Sequence, residues 1–323
     1  MNTCSSTNTL AAMRRLNQQS EPVPPSTAAH VFAVTSGKGG VGKTNVVANL
    51  AAALTIAQKR VMVMDADLGL ANLDLFLGVQ PQYTLADFFD GSKSLSDILI
   101  PTPLGVMLLP AASGIQEVTT LSDEQKIVFL TELETLSQDV DMVLVDTSSG
   151  ISDTVTYFAT AAQEIIVVVM PEPSSFTDAY ALIKVLASTH REKRFWILAN
   201  NVEGKKDAER LYDTLSRTAV RFLNTSLDLL GWIPRDPALA RAAAHGQLVV
   251  TTAPQCPSAR AFSVIAQRLL KSSAGDAWEK GNLQFFFQRI LAARQQKGKR
   301  STSSQTPLHI APSARSMGVS RKH

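Results

Sequence analysis

The stretch Gly37-Lys38-Gly39-Gly40-Val41-Gly42-Lys43-Thr44 governs how the rest of the chain is read. It fits the pattern G-x-x-x-x-G-K-[ST]. The apolar run Val31–Ser36 before it reads as a strand, and Asn45–Gln58 after it reads as a helix. That strand–loop–helix setting is the one the pattern needs. Glycines let successive backbone N–H groups turn inward around phosphate oxygens, and the helix that follows adds the positive end of its dipole. In such a loop Lys43 bridges the β- and γ-phosphates and Thr44 ligates Mg²⁺. At ordinary residue frequencies a chance match somewhere in such a chain is on the order of one per cent. The pattern therefore predicts nucleotide binding by Gly37, Gly39, Gly40, Val41, Gly42, Lys43, Thr44 and Asn45.

Outward from this loop, further apolar runs end in acids. Val61-Met62-Val63-Met64-Asp65-Ala66-Asp67 closes with two. Side chains at i and i+2 share a side where strand geometry persists, so Asp65 and Asp67 can approach one Mg²⁺–phosphate centre. Met142-Val143-Leu144-Val145-Asp146 ends in a single acid, the expected place for a Mg²⁺ ligand. Alone, Asp65 and Asp146 read as well as helix caps or loop acids; the phosphate loop favours the metal reading. Val106–Pro110, Ile165–Met170, Trp196–Asn200 and Leu229–Pro234 are similar runs, rich in Val, Ile and Leu, as strands buried on both faces are. Helical segments Ser122–Gln138, Phe176–Thr189 and Lys205–Leu223 lie between them, and Ala238–His245 and Ser258–Leu270 close the series. Strand–helix alternation predicts an α/β fold, a mostly parallel twisted sheet with helices on both faces.

Composition sets limits around this core. The 323 residues are 45% hydrophobic and 18% charged, enough to bury a sizeable interior. The longest apolar run, Ile165–Met170, is far short of the ~20 residues that span a bilayer. The first thirty residues lack the apolar stretch of a secretory leader. The two cysteines, Cys4 and Cys256, make no disulfide framework, so a reducing cytoplasm is expected. Residues 281–323 hold eight of the 31 Lys and Arg and no acid, which leaves 23 basic against 28 acidic residues in the rest. The tail therefore suits an acidic partner while the body does not. Four parts are predicted: residues 1–29 with the Pro-rich linker Glu21-Pro22-Val23-Pro24-Pro25, a nucleotide-binding domain over 30–272, an amphipathic helix over 273–296, and a basic disordered tail over 297–323.

The second lysine narrows the family. With Lys38 at its start, the order Lys-Gly-Gly-Val-Gly-Lys-Thr resembles the deviant Walker A motif of the MinD/ParA ATPases, and the resemblance covers about Val31 to Leu270. It implies an ATP-dependent homodimer in which Lys38 reaches the partner's nucleotide and steadies developing charge; an ordinary solvated loop lysine is the alternative. It also implies that Asp67 orients the attacking water, that Asp65 supports the metal site, and that the backbone N–H of Gly150 approaches the γ-phosphate. Ser149 departs from the family, which shows Ala or Pro-Ala before that glycine, and puts the turnover rate in question. Asn200, with Asn201 as the alternative, and Pro234-Arg235-Asp236 resemble the family's adenine-binding pair; an Asn or Pro-Asp turn is common in its own right.

Within the family, Asp65-Ala66-Asp67-Leu68-Gly69-Leu70-Ala71-Asn72-Leu73-Asp74 is most similar to the flagellar-number regulators of the FlhG/FleN type. Leu10-Ala11-Ala12-Met13-Arg14 resembles that branch's activator segment, with Asn8-Thr9 in place of its usual acidic and glutamine start. Gly281–Arg289 resembles its membrane-targeting segment. The resemblance implies control of flagellar number through an SRP-type GTPase, an enhancer-binding transcription activator of flagellar genes, or both. Physically, Leu283, Phe286, Phe287, Ile290 and Leu291 form one helical stripe beside Arg289, Arg294, Lys297, Lys299 and Arg300. Such a stripe suits either an anionic inner leaflet or a groove on its own domain. The expectation is a cytoplasmic protein, reversibly membrane-associated. A ParA-type partition ATPase that binds DNA is the alternative; the acidic body opposes it and nucleic-acid binding is not expected. An iron–sulfur ATPase would need cysteines near the switches, and a scaffold holding ATP without turnover is the remaining alternative.

Overall fold

The computed structural model describes residues 29–67, 72–110 and 123–272, together with Phe286, Gln288 and Arg289. The activator-like segment, Leu68–Ala71 and most of the C-terminal stripe lie outside the described residues.

The most apolar runs form the middle of one eight-stranded sheet. Its strands are β1 (His30–Ser36), β2 (Val61–Ala66), β3 (Ile100–Pro101), β4 (Met107–Pro110), β5 (Met142–Ser149), β6 (Glu164–Val169), β7 (Arg194–Val202) and β8 (Ser226–Pro234). The spatial order is β3-β4-β2-β5-β1-β6-β7-β8, parallel except for the short β3–β4 pair. Every residue of β1 and β2 is buried, which explains their lack of alternation. Strands β7 and β8 run longer than their apolar stretches because their first residues reach solvent, where Arg194 Nε meets Asp228 Oδ2 at 2.9 Å.

Helices cover both faces. One face carries α1 (Lys43–Ile56), α2 (Leu73–Leu77), α9 (Pro237–Ala244), α10 (Val249–Thr252) and α11 (Pro257–Ser272), joined through Val46, Leu50, Leu73, Val249, Phe262 and Ile265. The other carries α3 (Leu85–Phe89), α4 (Leu95–Ile98), α5 (Asp123–Ser137), α6 (Asp153–Ala161), α7 (Pro173–His190) and α8 (Lys205–Leu223), joined through Phe88, Phe129, Phe158, Leu182 and Leu211. Helix α1 is apolar nearly all round because it lies between the sheet and α11. Sequence pattern alone did not reveal α6: its flank Thr147–Ser152 reads as a polar loop, yet Ser152 caps the helix through the Val155 N–H. The short helices α2, α3, α4 and α10 escape sequence reading for another reason: each is at most five residues and shows no period.

The chain moves one way from β1 through β2 and the other way through β6, so the carboxyl ends of β1, β5 and β6 open a crevice at the reversal point. The residues singled out from sequence sit at that end of the sheet.

Candidate nucleotide site

The loop after β1 takes its shape from its glycines. Gly42 caps α1 at φ 83°, and its carbonyl accepts the Val46 N–H at 2.9 Å. A Cβ at Gly42 would lie 2.7 Å from Asn200 Nδ2. Gly37 has a second reason to be glycine beyond phosphate approach: its Cβ would lie 2.1 Å from the Asp178 backbone in α7. The loop is thus packed against the helix after β6.

Lys43 is buried, and its Nζ donates to Asp146 Oδ1 at 2.6 Å. The Thr44 hydroxyl is near enough to the same carboxyl to pull its pKa down. Asp65 and Asp146 face each other as register partners on β2 and β5. Burial, with the Asp146 charge second, pushes the Asp65 carboxyl up to about 7. Burial raises Asp146 too, against the opposing pull of Lys43 and Thr44. Two desolvated carboxylates side by side, with a hydroxyl in reach, form a hard oxygen donor set suited to a divalent cation. Among the described residues no three His, Cys, Asp or Glu cluster to hold a metal alone. Mg²⁺ does not require such a cage, because it draws ligands from phosphate and water.

Asp67 is half-buried at the end of β2. Its N–H donates to Asp65 Oδ1 at 3.1 Å, and its Oδ1 accepts from Ser148 Oγ at 2.9 Å. The Gly150 N–H donates to Ser36 O at 2.8 Å, with Gly150 at φ 99°. Lys38 is half-exposed; its Nζ donates to Ser174 Oγ at 2.7 Å and to Glu172 Oε2 at 3.1 Å. Sequence reading missed both partners. The available signal was Pro173, which marks the first turn of α7 and sets Glu172 at its N-cap.

A cavity of ≈ 340 Å³ opens beside the loop, lined by Gly40, Val41, Asn45, Met170, Asn200 and Pro234 among others. Asn200 Nδ2 donates to Val41 O at 2.8 Å, while Asn200 Oδ1 is buried without a partner. Asn45 Nδ2 is likewise buried and unpartnered. These orphaned atoms beside an apolar slot fit a planar base with polar edges. Asn201 lines the same cavity, at φ 56°. Arg235 Nη1 pairs with Glu203 Oε1 at 3.0 Å. The Asp236 carboxylate is spent on helix caps, accepting from the Ala238 and Ser258 N–H groups and from Ser258 Oγ.

Comparison with known proteins agrees with this geometry. Residues 32–249 match the CobQ/CobB/MinD/ParA nucleotide binding domain. The chain belongs to the MinD/ParA family of ATPases. It is 42% identical over 266 residues to the antiactivator FleN of Pseudomonas aeruginosa, covering 81% of this chain and 93% of FleN. To the flagellum site-determining protein YlxH of Helicobacter pylori it is 32% identical over 263 residues, covering 80% and 89%. The solved septum site-determining protein MinD complexed with Mg-ADP from Pyrococcus horikoshii overlays it with a TM-score of 0.59 at 28% identity, covering 76% and 98%. The parallel sheet with two helical layers is the family fold, and residues 37–44 lie within the matched nucleotide binding domain.

Among the described residues beyond Ser272, one is in the interior. Phe286 is buried, its ring centroid 6.4 Å from that of Phe158 in α6. Among the described residues no helix is long and apolar enough to cross a membrane.

Proposed function

We propose that this ATPase is an ATP-dependent dimerising switch that sets flagellar number or placement, or flagellar gene expression, through partner proteins. The observation that carries the proposal is the likeness to FleN, which runs through 93% of a protein whose name describes an antiactivator. YlxH, named for determining the flagellar site, points the same way. In this reading the chain hydrolyses ATP to ADP slowly. Lys43 and the loop N–H groups hold the phosphates, Asn200 Oδ1 and Pro234-Arg235-Asp236 border the adenine, and Asp67 orients water. Thr44, Asp65 and Asp146 hold Mg²⁺, which when bound neutralises phosphate charge. Lys38 leaves Glu172 and Ser174 to enter the site of a second copy.

The partners in this reading are an SRP-type flagellar GTPase and an enhancer-binding activator. Leu283, Phe286, Phe287, Ile290 and Leu291 with their basic flank supply weak contact with an anionic leaflet, stronger for two copies than for one. Light-scattering chromatography with ATP and with ADP tests the switch: a dimer with ATP alone is expected, and a monomer with both nucleotides overturns it. Counting flagella in cells lacking the protein tests the role, and an unchanged count refutes it. The basic tail keeps the ParA-type reading testable; an ATP-dependent gel shift of random DNA at physiological salt would favour that reading instead.

A further inference from the structure

Two hydroxyls stand where β5 ends, and both reach across the site. Ser148 Oγ donates to Asp67 Oδ1 at 2.9 Å. Ser149 Oγ lies 3.3 Å from Ser36 Oγ, which in turn donates to the Lys38 carbonyl at 2.9 Å. Thr147, one residue earlier, is buried and turns its hydroxyl to Val34 O, so it belongs to the sheet. The resemblance drawn from sequence places Ala or Pro-Ala at this point, residues that offer no hydroxyl. The link from Ser148 to Asp67 uses a hydroxyl that the Pro-Ala form of that motif lacks.

The geometry favours a role in aim rather than in proton transfer. Asp67 follows directly on the last residue of β2, and its carboxylate turns about two side-chain torsions. Orienting a water for in-line attack requires placement to within roughly 0.5 Å. The backbone of Asp67 is held by Asp65 Oδ1 and its side chain by Ser148. Ser148 follows Thr147, which is in parallel register with Ala66, so the donor comes from the sheet itself. An ionised carboxylate offers about four lone-pair sites, so accepting from a serine leaves room to accept from a water as well. An aliphatic hydroxyl takes up no proton at neutral pH, and none is asked of it.

We infer that Ser148 is a positioning residue for ATP hydrolysis: its hydroxyl holds Asp67 in the orientation from which that carboxylate directs the attacking water. The inference rests on the reading of Asp67 given above, and the test separates the two. In the full-length protein, Ser148→Ala should lower kcat about tenfold, in the range of a lost orienting contact. KM for ATP and the fraction of dimer formed with ATP should stay within about twofold, since neither phosphate nor base contacts change. Ser148→Thr restores the hydroxyl and should recover most of the turnover, whereas a packing defect would be made worse by the added methyl. Asp67→Ala, assayed beside them, should be inactive. Turnover of Ser148→Ala equal to or above wild type, with Asp67→Ala inactive, overturns the positioning role alone. Turnover of Ser148→Thr as slow as that of Ser148→Ala overturns it too. Wild-type turnover in Asp67→Ala removes the reading of Asp67, and the role of Ser148 with it.

Discussion

Lys38 Nζ lies 3.1 Å from Glu172 Oε2, in a pair whose side chains are 37% and 48% exposed. Exposed ion pairs contribute ~0–1 kcal/mol, so this contact is a weak tether that a lysine can leave at little cost. Lys38→Ala should bind ATP nearly as wild type yet stay a monomer, because two facing nucleotides lose the cation between them. Glu172→Ala should still dimerise, with a dimer constant changed by no more than ~5-fold. Light scattering with ATP reads both. A Lys38→Ala dimer as tight as wild type removes the crossing role.

The Lys43–Asp146 pair is the opposite case, with side chains only 5% and 1% exposed. Removing one partner of a buried pair costs ~3–5 kcal/mol, because the other charge is left stranded. Lys43→Ala should therefore lose ATP affinity by on the order of 10²-fold and also melt earlier. Replacing the pair together, as Lys43→Met with Asp146→Leu, should recover the melting temperature without recovering binding. Melting of Lys43→Ala at the wild-type temperature contradicts the pair's structural weight.

Two glycines of one loop should respond differently to alanine. A Cβ at Gly37 meets the Asp178 backbone at 2.1 Å, where no flexible side chain can yield, while one at Gly39 meets nothing within 4 Å. Gly37→Ala should destabilise by ~1–3 kcal/mol or more through overpacking. Gly39→Ala should stay within ~0.5 kcal/mol. Urea unfolding measures both, and equal midpoints for the two variants contradict this packing of the loop on α7.

Acid stability should carry the mark of Asp236. Partial desolvation opposes ionisation there, but bonds from the Ser258 and Ala238 N–H groups and from Ser258 Oγ outweigh it and hold the carboxyl down at about 2, against 3.8. A depressed carboxyl stabilises the fold above its unfolded value and loses that stability as pH falls through its folded value. The contribution, ~1 kcal/mol after solvent screening, is thus complete above about pH 4 and fades toward pH 2. Asp236→Asn should flatten this part of the stability profile measured by urea unfolding. An identical slope in the variant argues against the cap.

What could be read beforehand depended on how local the requirement was. Gly37 through Thr44 announce themselves because turning a backbone around phosphate needs those residue types within eight positions. Asp65 and Asp146 were legible because each ends an apolar run, and the sheet then sets them side by side as register partners. Lys38 meets residues 134 and 136 positions away, and Ser148 meets one 81 positions away. Those pairings exist only because β1 neighbours β6 and β2 neighbours β5 in the sheet, an order no periodicity in the chain encodes. The serines before Gly150 were seen as a departure in composition; the partner that gives Ser148 meaning came from the fold.

Phe286 sits in the interior against Phe158, and a side chain has one location at a time. Burying an aromatic ring gains ~1.5–3 kcal/mol, so any lipid contact by Phe286 must first compete with the protein's own core. Were this ring to bind lipid, the competition would be reciprocal: whatever loosens α6 would raise its affinity for lipid by the factor with which lipid loosens α6. Helix α6 begins three residues after Gly150, whose N–H is held by the strand of the phosphate loop. The ring that the C-terminal stripe would offer to lipid thus rests on a helix whose first residue lies three positions from a residue of the nucleotide site.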